Sequence, residues 1–291
     1  MPELPEVETV RRGLIKLIVG KTIADVSRDW PKSFPNTDAD VKEFLIGSEI
    51  EAIHRRAKVL QIDLSSGYSL IIHLKMTGQL VFVSDDSRFG AGHPNDSLIS
   101  KLPDKTTRVT LVFSDGSKLF FNDQRKFGWV RLLPTIEVPN IDFMRKVGPE
   151  PLSQEFNAKE FVQRIRKRPN SAVKAAFLDQ TVVAGVGNIY ADESLWAAKI
   201  HPAERIKNIS TRKLNKLFTG LRTILLLAIE KGGSTDRNYV DAQGKKGSYL
   251  SLARVFRREG QPCFRCGTTI VKIRVAGRGT HICPRCQKMV K

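Results

Sequence analysis

The spacing of apolar positions changes along this chain, and with it the predicted structure. Val7, Val10, Leu14, Leu17 and Ile18 recur at the intervals of one helical face, and Gly20 ends the run. The pattern then shortens. Residues 59–64, 69–74, 79–83, 108–113 and 118–121 are brief stretches rich in β-branched and aromatic side chains. Ser65-Ser66-Gly67 and Ser114-Asp115-Gly116 read as the turns between them. A helix followed by many short strands predicts a β-sandwich domain over residues 1–133. Residues 134–151 are proline-rich and weakly periodic, and read as a linker. Helical spacing returns over 156–166, 173–178, 189–198 and 213–229, so a helical domain is expected over 152–252. Residues 84–105 are polar and contain glycine, as expected of a mobile surface insertion. The fold class is therefore α+β and multidomain.

Composition narrows the function. At 291 residues the chain has room for two domains, and 48 Lys and Arg against 30 Asp and Glu leave a net charge of +18. That excess favours a polyanionic partner, with nucleic acid first. No apolar run approaches the roughly 20 residues of a spanning helix, so no membrane partner is expected. The acidic start lacks the pattern of a secretory signal. All four cysteines fall within the last 29 residues, leaving none for a disulfide framework elsewhere. A reducing, cytoplasmic location is the expectation.

Those cysteines carry the sharpest local signal. Cys263-x2-Cys266-x16-Cys283-x2-Cys286 has the spacing of a four-thiolate zinc site, with thiol redox chemistry as the competing reading. Four sulfurs leave no position for water, so the ion would be structural. Arg254, Arg257, Arg258, Arg265, Lys272, Arg274, Arg278, Arg285 and Lys288 surround the module, which predicts a nucleic-acid contact surface over 253–291. Gly185-Val186-Gly187-Asn188 lacks the third glycine and preceding strand of a dinucleotide fingerprint. It reads either as an ordinary helix corner or as a joint whose glycines let backbone approach a phosphate, with Asn188 capping the next helix.

The N-terminus offers different chemistry. Removal of Met1 would make Pro2 a free secondary amine. An α-amino group has a pKa of about 7.7–8.0, so much of it is unprotonated near neutrality. Such an amine attacks an aldehyde-like carbon, and its adduct is an iminium with fixed positive charge. Glu3 is one residue away and suits proton transfer. The plainer alternative is that Pro5 starts a helix whose positive end Glu6 and Glu8 complement.

Pro2-Glu3-Leu4-Pro5-Glu6-Val7-Glu8-Thr9 resembles the start of the bacterial formamidopyrimidine-DNA glycosylases. Further motifs of that family follow in order: His73-Leu74-Lys75-Met76-Thr77-Gly78, Asp123-Gln124-Arg125-Lys126-Phe127-Gly128, Gly148-Pro149-Glu150-Pro151-Leu152, Gly185-Val186-Gly187-Asn188-Ile189-Tyr190 and the cysteine module. The resemblance spans nearly the whole chain. It implies an N-terminal β-sandwich with a leading helix and a C-terminal helix–two-turn–helix domain with a zinc finger. It implies a bifunctional glycosylase and lyase that removes oxidised purines, 8-oxoguanine and formamidopyrimidines, from damaged double-stranded DNA, acting as a monomer in the bacterial cytoplasm. Residue by residue, Pro2 is then the nucleophile and Glu3 its proton-transfer partner, with Glu6 supporting the geometry. Lys58, His73, Asn188 and Arg278 contact phosphates, and Lys58 and Arg278 belong with the catalytic set. Met76, Arg125 and Phe127 occupy the space of the everted nucleotide. Thr235, Arg237 and Tyr239, behind Gly232-Gly233, match the loop over the lesion. One structural zinc is the implied cofactor.

Departures from the family pattern are Thr106 in place of histidine, Arg257 in place of glycine, and Tyr249-Leu250 in place of Phe-Gln. Two other readings stand beside this one. An endonuclease VIII-like enzyme for oxidised pyrimidines usually has glycine at the position of Leu4. A noncatalytic zinc-containing nucleic-acid-binding protein explains the charge and cysteines but not the glutamate-rich start.

Overall fold

A computed structural model describes residues 1–234 and 249–289, and the chain divides into two compact units. One unit is Met1–Arg145 with Ile229–Ser248, and the other is Lys146–Ala228 with Tyr249–Lys291. The division falls inside the stretch expected to be a linker. That stretch carries a 3-10 turn over Thr135–Asn140 and the short helix α3 (Asp142–Lys146). Val138 gives it an anchor, buried with Val59 and Ile71.

In the first unit, α1 (Leu4–Ile18) precedes β1 (Ile23–Arg28), α2 (Asp38–Phe44), β2 (Ile50–Arg56), β3 (Val59–Leu64), β4 (Tyr68–His73), β5 (Gly78–Val83), β6 (Arg88–Gly92), β7 (Thr107–Phe113), β8 (Lys118–Asp123) and β9 (Trp129–Pro134). Two antiparallel sheets result, in the orders β1-β7-β8-β5-β6 and β2-β3-β4-β9. Alternation along each strand supplies one inward face, and these faces share a core with the apolar stripe of α1. The helix packs against β2 and β6. Gly13 permits this, because a Cβ there would lie 2.0 Å from the ring of Phe89 on β6.

The 84–105 segment is folded, contrary to the expectation of a mobile insertion. Its first part is the edge strand β6, and a 3-10 turn over Asp96–Leu98 follows. Leu98 is buried against Val81 and Phe120. The Arg88 guanidinium donates to the carbonyls of Leu98 (2.9 Å), Ser97 (3.2 Å) and Ser100 (2.7 Å), closing the segment on itself.

The second unit holds α4 (Ala158–Arg166), α5 (Val173–Leu178), α6 (Asn188–Ala197), most of α7 (Thr211–Glu230), and the hairpin of β10 (Val271–Val275) and β11 (Arg278–Ile282). Asn157 caps α4 by accepting from the Glu160 amide at 3.1 Å. Phe156, Phe161, Phe177 and Phe218 form a chain of ring contacts inside the unit, with centroids 5.2–5.9 Å apart for the pairs through Phe218 and Phe177. Among the described residues no helix is long and apolar enough to cross a membrane.

Candidate active site and nucleic-acid interface

In the first unit, Pro2 is buried directly ahead of α1, and Glu3 is the extended residue that begins the helix. Both nearby carboxyls are almost fully covered, Glu3 at 2% exposure and Glu6 at 4%. Glu6 accepts from the Glu3 amide at 2.8 Å with one oxygen and from the Ser234 amide at 2.7 Å with the other. It therefore fixes the turn that carries Pro2 and also the backbone just before residue 235. Thr235, Arg237 and Tyr239 lie outside the described residues.

Glu8 has a different task. It accepts from Arg11, Arg12 and Arg55 at 2.8–3.1 Å. Burial opposes its charge, but these guanidinium bonds prevail and hold its pKa down at about 2. Glu8 is thus a structural anchor between α1 and β2, and of these three glutamates it is Glu3 and Glu6 that lie at the N-terminal turn.

Lys58 lies in the turn between β2 and β3, His73 is the last residue of β4, and both are mostly buried. Val59, next to Lys58, pairs in register with His73. Burial, reinforced by the charges of Lys75 and Lys58, lowers the His73 pKa to about 3. Its Nδ1 accepts from the Lys75 amide at 3.0 Å, which leaves the proton on Nε2. His73 is consequently a neutral donor at physiological pH.

The β4–β5 turn presents half-buried Met76, and the β8–β9 connection presents Arg125 and Phe127. Phe127 is 53% exposed, with the Arg125 guanidinium 4.7 Å from its ring centroid. A large apolar side chain on a protruding basic turn contributes nothing to the core. It suits insertion into a base stack.

The second unit brings Asn188, Arg278 and the cysteines together. Asn188 is the first residue of α6 and not its cap, which is Gly187. Extended Gly187 takes the cap position, and the Asn188 side chain, half-buried with its Oδ1 covered, is not used to cap the helix. Its Nδ2 donates to the Gly279 carbonyl at 3.0 Å, which sets it beside exposed Arg278 at the start of β11. Gly185 has φ +76, and Gln180 holds that turn by accepting from the Gly185 amide and donating to the Val186 carbonyl, both at 2.9 Å.

The cysteine sulfurs all lie within 4.8 Å of one another and none is in a disulfide. Closest separations are 3.4 Å for Cys266–Cys283 and 3.5 Å for Cys266–Cys286. A tetrahedral zinc with bonds near 2.3 Å needs edges of roughly 3.8 Å, so this arrangement fits one ion with only a small expansion. The Trp196 indole also donates to Cys263 Sγ at 3.4 Å, a second-sphere contact of the kind that steadies thiolate ligands.

Three buried groups escaped the sequence reading. Lys174 and Asp192 are 0% exposed and pair at 2.6 Å. Lys174 Nζ also donates to Thr280 Oγ1 at 2.8 Å, and Asp192 accepts from the His281 amide at 2.9 Å. The pair thereby fastens β11 to α5 and α6. Glu193 accepts from the amides of Arg254, Val255 and Phe256 and from the Tyr249 hydroxyl, all at 2.8–3.0 Å. This explains one departure: Tyr249 supplies a hydroxyl that Glu193 uses. Another departure carries strain. Arg257 has φ +57, a conformation that glycine adopts at less cost. Thr106 is buried, and its hydroxyl reaches Asp104 Oδ1 at 2.7 Å and Ser97 Oγ at 3.0 Å.

A helix-fronted β-sandwich followed by a helix–two-turn–helix unit with a four-thiolate zinc site defines a class of DNA-repair glycosylases. Known proteins narrow the class. The sequence matches the formamidopyrimidine-DNA glycosylase N-terminal domain over residues 1–130, the H2TH domain of that enzyme over 147–239, and a zinc finger found in FPG and IleRS over 260–288. It is 41% identical to the formamidopyrimidine-DNA glycosylase of Enterococcus faecalis, across 99% of this chain and 98% of the relative. Identity to the Herpetosiphon aurantiacus enzyme is 40%, across 99% and 100%. Among solved structures, Lactococcus lactis formamidopyrimidine-DNA glycosylase bound to DNA with an abasic site superposes with a TM-score of 0.84 at 37% identity, covering 98% of this chain and 99% of that one. MutM in complex with DNA containing carbocyclic 8-oxo-G gives 0.85 at 38% identity, covering 99% and 100%. The chain belongs to the formamidopyrimidine-DNA glycosylase family.

Proposed function

We propose that this DNA glycosylase excises 8-oxoguanine and formamidopyrimidines through Pro2 and then cuts the strand at the resulting abasic sugar. The observation that carries the reading is the N-terminal turn: Pro2 is buried beside Glu3, and Glu6 holds the turn through the Glu3 amide. Once Met1 is gone, the Pro2 lone pair forms a bond to C1′ as the glycosidic bond breaks toward the base. The amine gives up its proton, O4′ opens and is protonated with help from Glu3, and an iminium remains. Loss of the C2′ proton expels the 3′ phosphate, and a second elimination expels the 5′ phosphate.

Lys58, neutral His73, Asn188 and Arg278 serve as phosphate contacts in this reading. A neutral imidazole donates without adding charge, which suits a position already flanked by Lys58 and Lys75. Met76, Arg125 and Phe127 fill the helix when the nucleotide leaves it. Thr235, Arg237 and Tyr239 cover the everted base. The zinc, held by Cys263, Cys266, Cys283 and Cys286, stabilises the hairpin that bears Arg278. The enzyme acts as a monomer on nucleoid DNA in the cytoplasm. Cleavage of duplexes that each carry one defined lesion tests the substrate: 8-oxoguanine and formamidopyrimidine duplexes are cut, and preference for oxidised pyrimidines overturns it. Glu3→Gln keeps DNA binding while slowing cleavage. Equal loss of both defeats its assigned role.

A further inference from the structure

The carboxylate of Asp123 is 0% exposed, and its partners come from two separate turns. Oδ1 accepts from the Thr77 hydroxyl, next to Met76, and from the Arg125 amide at 3.2 Å. Oδ2 accepts from the Gly128 amide at 2.6 Å, just beyond Phe127. The Arg125 amide is shared with Thr77 Oγ1 at 3.0 Å, so the two turns are bonded directly as well. The backbone of Asp123 is fixed too: its amide donates to the Thr106 carbonyl at 2.8 Å, and its carbonyl accepts from Arg108 Nε at 3.0 Å. Among the described residues, no side-chain cation bonds the carboxylate. A buried charge held only by a hydroxyl and two amides is costly unless every bond is made. Both turns are therefore locked to one geometry, while Arg125 and Phe127 stay exposed and Met76 half-buried.

We propose that Asp123 is a positioning residue that joins the Met76 turn and the Arg125–Phe127 turn into one preorganised wedge. Insertion into a base stack needs the three side chains to arrive together. A loop free to rearrange would spend binding energy on ordering itself. Asp123 removes that cost before DNA is met. Chemistry at a sugar that is already unstacked does not need the wedge, so it does not need Asp123. This inference rests on Met76, Arg125 and Phe127 acting as the wedge, which Met76→Ala tests separately.

The experiment compares two substrates for the full-length zinc-loaded enzyme. One is a duplex with 8-oxoguanine, and the other is a single strand with a preformed abasic site. Asp123→Asn turns one acceptor edge into a donor that faces an N–H or O–H, so at least one bond is lost. Duplex excision is expected to fall about tenfold or more, with single-strand cleavage within about twofold of the parent. Thr77→Val keeps the volume, removes the hydroxyl and gives the same selectivity at smaller size. Thr77→Ser restores the parent behaviour, which a packing defect would not allow. Equal losses on both substrates, or no loss on either, overturn the proposal. If Asp123→Asn does not fold, the Thr77 pair decides by the same criterion. A Met76→Ala enzyme that loses both activities equally would instead defeat the wedge reading, leaving the two failures distinguishable.

Discussion

Lys174→Met should destabilise the second unit by about 3–4 kcal/mol, in the lower part of the range for breaking a buried pair. Both charges are fully buried and 2.6 Å apart, so removing the ammonium strands the Asp192 carboxylate away from water. The loss is moderated because Asp192 keeps the His281 amide at 2.9 Å. It is increased because the Thr280 hydroxyl, bonded to Nζ at 2.8 Å, loses its donor. At about 3–5 °C per kcal/mol for a unit between the 60–100 and 150–250 residue classes, the melting temperature should drop by roughly 10–15 °C. Urea unfolding of the zinc-loaded protein, followed by Trp196 fluorescence in a background with Trp30 and Trp129 replaced by Phe, measures the change. Lys174→Met combined with Asp192→Leu should recover much of it, since an apolar replacement of both partners leaves no uncompensated charge. A single-variant change under about 1 kcal/mol, or no recovery in the double variant, would refute the argument.

Phe127→Ala should leave stability within about 0.5 kcal/mol, because the ring is exposed, yet lower excision from duplex DNA; a large stability loss in urea would mark it as core. Cys283→Ser should release the zinc and weaken DNA binding while the first unit stays folded, and undiminished affinity without metal would count against the hairpin as a contact surface. His73, with its pKa at about 3, should show no titration by NMR between pH 8 and 5. The unfolded chain takes up this proton near pH 6.5 and the folded chain near 3, so stability declines as pH falls through that window. A His73 midpoint near 6.5 would contradict its burial.

Periodicity was enough to read α1, α4 to α7 and the inner strands, because one buried face leaves a repeat, while the short α2 and α3, which bury one residue or none, went unread. The strands it missed in the two sheets are the four at their edges, β1, β2, β6 and β9, although β9 buries Val130 and Leu132. Only Ile23 is buried on β1, and on β2 Ile50 and Ile53 stand among charged neighbours. The edge strand β6 was hidden by glycines and by Arg88, whose charge is spent on carbonyls. Among site residues, the cysteines were legible from spacing alone, since two close pairs have few other uses. Pro2, Met76 and Phe127 gained meaning only from resemblance, because a single proline, methionine or phenylalanine has no pattern. Lys174, Asp192 and Glu193 were illegible. A charged residue within a helix ordinarily faces water, and nothing local reveals a partner such as Thr280, 106 positions away from Lys174.

The central claim concerns the amine at the N-terminus. Borohydride added during reaction with 8-oxoguanine duplex reduces an iminium to a stable amine and so attaches protein to DNA. Proteolysis and mass spectrometry of the adduct should locate the bond at Pro2 in a chain that has lost Met1. A form with an uncleaved residue ahead of Pro2, whose nitrogen is then an amide, should give neither adduct nor base release. An adduct on an internal lysine such as Lys58, or full activity with the N-terminus blocked, would contradict the account.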